Sequence, residues 1–138
     1  MVIQRWQSVL LFLATILMVA INFSPLAQSA DAARTPATFV SDAPILLTLD
    51  ILGAALLFIS IFLFKNLRLQ IRVTLLSILL ICVLTVCAGI ILYRDGALGR
   101  IEWTGAVLLL LCALLCALRA VWRMRNDRRL LRSADRLR

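Results

Sequence analysis

The sequence predicts an all-α, polytopic membrane bundle of four helices with a basic amphipathic C-terminal helix. Three observations carry that expectation. Four long apolar runs divide the chain, and each holds at most one charged residue. Each run is as long as the roughly 20 residues a helix needs to cross about 30 Å of hydrocarbon. Fully 63% of the 138 residues are hydrophobic and mean hydropathy is +1.01, against about 45–50% apolar in soluble domains. A chain this short has too little interior to hide so much apolar surface from water.

The first run, Trp6 to Ala27, is uncharged. The second, Pro44 to Phe64, contains Asp50 alone. Its Pro44 suits a first helical turn, where the missing N–H costs nothing. The third, Val73 to Tyr93, is uncharged, and the fourth, Trp103 to Trp122, is uncharged until Arg119. Trp6, Tyr93, Trp103 and Trp122 stand at run ends, where amphipathic rings favour the headgroup level. In hydrocarbon every amide must be bonded within its own segment, so all four runs are expected to be helical. Residues 1–138 read as a single membrane domain, with spans at about 6–27, 44–64, 73–93 and 103–122 and a basic tail over 123–138.

Between the spans, Gln28–Ala43 is rich in Ala, Ser and Thr and reads as irregular. Lys65–Arg72 (KNLRLQIR) reads as a tight basic loop that makes spans two and three a helical hairpin. Arg94–Glu102 carries two Gly and mixed charge. Lys and Arg set the orientation. Arg5, the three bases of the hairpin and the eight Arg of the tail lie on one side, and only Arg34, Arg94 and Arg100 on the other. The rich side belongs in the cytoplasm, so the expected location is the bacterial inner membrane with both termini inside. A rival reading takes the first run as a signal peptide cleaved after Ser29 or Ala32. A run longer than the usual 7–15-residue signal core favours the uncleaved anchor.

Three motifs carry a resemblance. The opening Ile3-Gln4-Arg5-Trp6-Gln7, the hairpin residues Lys65, Asn66, Gln70 and Arg72, and the ending Arg132–Arg138 (RSADRLR) together resemble the bacterial domain-of-unknown-function 4293 family. The resemblance implies a small four-span protein of the kind found in Bacteroidetes, with the first span retained. It implies no activity, and no functional residue carries over. All three motifs fall on the side assigned to the cytoplasm, which marks that side as the working face.

Asp50 is the candidate intramembrane charge. It lies six residues past Pro44, about 9 Å along the helix. A charge at that depth is costly and reads as a functional site by default. One reading is a proton or cation site paired with Arg94 or Arg100. The other starts the span a turn later and leaves Asp50 as a cap or ion pair at the outer interface.

The tail supplies the candidate lipid or partner contacts Arg119, Arg123, Arg125, Arg128, Arg129, Arg132, Arg136 and Arg138. Leu130, Ala134 and Leu137 share one helical face and Arg125, Arg129, Arg132 and Arg136 another. That pattern suits a helix lying on an anionic inner leaflet, where each basic residue is worth about 1 kcal/mol. An acidic protein partner fits next. Nucleic acid fits worst, because the tail lacks interleaved aromatics for stacking.

Small residues four apart (Cys112 with Cys116, Ala113 with Ala117, Thr85 with Gly89, and a Gly53–Ala55 patch) predict close helix packing within the bundle or a homo-oligomer seam. The chain has no His, and its four Cys all lie within apolar runs. Neither catalytic residues, a cofactor site nor a metal site is therefore expected. The function expected is a non-catalytic structural or interaction role with a basic cytoplasmic face; alternatives are a small transporter or channel subunit using Asp50, and, last, a membrane enzyme.

Overall fold

The structure, a computed structural model, describes residues 2–26, 39–94 and 105–137. Those residues form four helices and no strand: α1 (Val2–Ile21), α2 (Pro44–Phe62), α3 (Leu67–Arg94) and α4 (Gly105–Arg136). A short 3-10 turn, Val40–Asp42, leads into α2, and another, Leu63–Lys65, leaves it. The expected all-α bundle is what the chain forms.

The buried positions explain how the helices meet. In α1 they are Gln7, Leu11, Ala14, Met18 and Ile21, and in α2 Leu46, Asp50, Gly53, Leu57 and Ser60. In α3 the series begins Gln70, Thr74, Ser77, Ile81, Leu84, Ala88, and in α4 it runs Ala106, Leu110, Ala113, Ala117, Ala120, Met124. Every series alternates steps of four and three, the 3.5-residue repeat of left-handed bundles packed side chain into hole. α1 packs on α2 and α4, and α3 packs on the same two. Asn22, just past α1, meets Asp50 early in α2, and Gln7 near the start of α1 meets Asp127 near the end of α4. Neighbours therefore run antiparallel, in up-down-up-down order.

The interior mixes aliphatic side chains such as Leu11, Met18 and Leu57 with small and polar ones, and the exterior is large and apolar. Ala113, Ala117 and Ala120 are fully buried, while Phe12, Ile51, Phe58, Leu79, Val86 and Leu115 point outward. Water would not tolerate such a belt on a monomer, whereas small residues at helix contacts and large ones toward lipid are the membrane arrangement. α2 with its 3-10 extension (Pro44–Lys65), α3 and α4 are each long and apolar enough to cross a membrane. The apolar part of α1, Arg5–Ile21, is shorter.

Four boundaries differ from the sequence reading. The first helix ends at Ile21 rather than near Ala27. Pro25 has no N–H and bars helical geometry at the residue before it, so the chain leaves through bonds from Asn22, Phe23 and Ser24 to Val19, Ala20 and Ile21. The second helix closes in a 3-10 turn. The third starts at Leu67, because the hairpin needs only Asn66 outside helical structure. Arg68, Gln70 and Arg72 thus belong to α3 and not to a loop. The tail is no separate element, since α4 runs unbroken through Trp122 to Arg136.

The small-residue pairs divide by face. Ala113 and Ala117 lie in the interior, and a Cβ on Gly53 would stand 3.4 Å from Met18 Cε, so α1 and α2 approach closely there. Cys112, Thr85 and Gly89 face outward, and a Cβ on Gly89 would meet nothing. Register on the 3.5-residue repeat, not spacing alone, decides which small residues pack.

Candidate functional site

Two polar regions occupy opposite ends of the bundle. At one end, Asp50 is 1% exposed on the inner seam of α2. Its Oδ2 accepts a hydrogen bond from Asn22 Nδ2 at 2.6 Å. Asp50 Oδ1 and Asn22 Oδ1 are buried and have no hydrogen-bond partner among the described residues. Asp50 is enclosed rather than lying at an exposed interface, and among the described residues Asn22, not Arg94, is its partner. Arg94 is exposed in the last turn of α3, and Arg100 lies outside the described residues. The turn that Pro25 forces after α1 is what carries Asn22 over the first turns of α2.

The basic end is built from two segments far apart in sequence. The hairpin contributes Lys65, and the first turns of α3 contribute Arg68 and Arg72, four residues apart on one helical face. The overhang of α4 contributes Arg128 and Arg132, again four apart. Together with Asp135 these side chains line a cleft of about 530 Å3. A smaller recess of about 210 Å3 lies among Arg125, Arg128, Arg129 and Arg132. Among the described residues none of these cations forms an ion pair with a carboxylate. Partial burial, followed by the positive charges of Arg132, Arg68 and Arg72, holds the Arg128 guanidinium below its usual value.

The other tail residues take different positions. Arg119 stacks on Trp122 with its guanidinium carbon 5.3 Å from the ring centroid, a cation–π contact suited to a span end. Arg123 is half-buried; Arg125, Arg129 and Arg136 are exposed; Arg138 lies outside the described residues. Leu130 and Leu137, of the expected apolar face, are 60% and 90% exposed. That stripe is turned away from the bundle.

Gln7 holds the overhang in place. It is 1% exposed, and its Nε2 donates to Asp127 Oδ2. Asp127 follows Ala120 and Met124 on the inner seam of α4, so this bond fastens the start of α1 to the helix that carries the basic cleft. Between α2 and α3, Ser60 and Thr74 share a fully buried hydroxyl–hydroxyl bond of 2.7 Å. Sequence reading left Gln7, Asn22, Ser60 and Thr74 without roles. Only the seam repeat, which places Gln7, Ser60 and Thr74 among inward positions, could have marked them.

A helical bundle with an apolar exterior, spanning-length helices and its buried polar groups on the inner seams defines an integral membrane protein. The sequence profile described as "Domain of unknown function (DUF4293)" matches residues 3–137, and the chain belongs to that family. No curated protein and no solved structure matches it.

Proposed function

We propose that the chain is a non-catalytic, four-span protein of the bacterial inner membrane that works as an interaction protein through its basic end. In this reading both termini are cytoplasmic and the first span is retained. The apolar part of α1, Arg5–Ile21, covers about 25 Å at 1.5 Å per residue, the short end of the spanning range. One observation carries the functional part: the hairpin and the α4 overhang converge, so their cations act as one surface facing the anionic leaflet. A protein partner with acidic groups could share that surface, and a second copy could pack on the outward small residues.

Orientation is tested by Leu137→Cys in a variant whose native Cys are replaced by Ala, probed with a membrane-impermeant maleimide. Labelling is expected in inverted vesicles and absent in intact spheroplasts. Labelling in spheroplasts would overturn the reading.

A second reading, a small transporter or channel subunit using Asp50, is favoured by one observation. Two buried oxygens, Asp50 Oδ1 and Asn22 Oδ1, have no donor among the described residues, and a proton or small cation at this pair would supply the missing partner. The buried Ser60, Thr74 and Ser77 also supply polar groups on the seams. In proteoliposomes this reading expects Asp50→Asn to abolish proton or sodium flux. No flux in the unmodified protein, or the same flux in the variant, removes it.

A further inference from the structure

The α3–α4 seam is open where it leaves the apolar region. The cleft there is lined by five cations, Lys65, Arg68, Arg72, Arg128 and Arg132, against one carboxylate, Asp135. Like charges held this close repel one another, and among the described residues Asp135 alone opposes them in the cleft, without forming an ion pair. The unsatisfied charge is fixed by the architecture: Arg72 and Arg68 ride on a continuous helix, and Arg128 and Arg132 on an overhang fastened by the Gln7–Asp127 bond.

Depth and shape narrow the occupant. Arg72 immediately precedes the apolar run that begins at Val73, so the cleft lies where hydrocarbon gives way to headgroups. Leu67, Leu69 and Leu131 also reach into it. Along the same two helices, toward the middle of the bundle, a mostly apolar trough of about 470 Å3 is lined by Leu75, Leu115, Leu118, Val121 and Trp122, with Arg119 stacked on Trp122 and Arg125 at its basic end. A basic cleft followed by an apolar trough matches a molecule with an anionic head and a hydrocarbon chain. Arg pairs suit a phosphate because their forked donors reach its oxygens two at a time.

We propose that this cleft binds the phosphate of a single anionic phospholipid, whose acyl chain lies in the trough between α3 and α4. The inference deepens the reading of the basic end as a lipid-facing surface and rests on it. It adds a discrete site to a general attraction: Arg68, Arg72, Arg128 and Arg132 hold the phosphate, while Arg5 and Arg136, exposed and lining neither basic recess, face outward and only raise the local lipid concentration.

The test uses the full chain in a neutral detergent, titrated with dioleoyl phosphatidic acid, with one-to-one adducts counted by native mass spectrometry. Arg72→Gln with Arg132→Gln is expected to weaken the first adduct roughly tenfold or more, and Arg5→Gln with Arg136→Gln less than about threefold. Arg72→Lys with Arg132→Lys is expected to bind between the unmodified chain and the Gln pair, since Lys keeps the charge but not the forked donors. Equal losses from the cleft pair and the outward pair would overturn the discrete site and leave the general surface standing. No loss from either pair would overturn both. Loss in the Lys pair as deep as in the Gln pair would mean that packing, not charge, is at stake, and would also overturn the site. Inorganic phosphate bound by the unmodified chain as tightly as the lipid would overturn the lipid as occupant.

Discussion

The two ends of the bundle handle charge in opposite ways. At the Asp50 end a single carboxylate is enclosed by packing and accepts one amide bond, and among the described residues its other oxygen and that of Asn22 have no partner. At the basic end many cations stay near the surface, close to one another and, among the described residues, unpaired by carboxylates. Burial makes each hydrogen bond at the first end strong and each missing one costly. Exposure at the second end makes single charges cheap, and their sum becomes the useful quantity. One end is therefore sensitive to individual atoms and the other to total charge.

That contrast can be broken by substitution, read as unfolding free energy in detergent micelles. The largest effect is expected at Asn22. Asn22→Leu removes the partner of Asp50 and leaves a buried carboxylate alone, at a cost of about 3 kcal/mol. Asp50→Asn is the matched control. A carboxamide can donate to Asn22 Oδ1 while accepting from Asn22 Nδ2, so stability is expected to hold or rise. A clear loss in Asp50→Asn would show that the unsatisfied oxygens are already bonded by something else.

Ala117→Leu comes next, because it forces three extra carbons into a fully buried seam position, for a loss of about 2 kcal/mol. Gln7→Leu follows, with about 1.5 kcal/mol expected from stranding Asp127. The same change should loosen the overhang, so protease cleavage after Arg125 or Arg129 should quicken. Unchanged cleavage would separate the Gln7–Asp127 bond from the position of the basic end. The smallest effect is expected for Arg129→Gln with Arg136→Gln, within about 0.5 kcal/mol. A larger loss there would mean that the outward charges are not free surface.

How much was legible in the sequence depended on the kind of force. The apolar runs were visible because the bilayer imposes a length, and length can be counted. The tail was visible as charge because Arg clusters can be counted too. The hairpin Arg looked ordinary: Arg68 and Arg72 lie 60 residues from Arg128 and Arg132, and no local pattern states that they meet. Asn22 was read as part of a span, although Pro25 three residues later was a signal that the helix must end early.

The sequence by itself determined the helical class, the apolar exterior and the concentration of positive charge at the chain's end, because hydropathy and charge are properties of segments. The tertiary structure alone decided which small residues pack, that Asp50 would face Asn22, and that two basic segments would share one cleft. Those outcomes depend on the register in which four antiparallel helices interlock. A shift of one residue turns a helix by about 100° and exchanges what is buried for what is exposed.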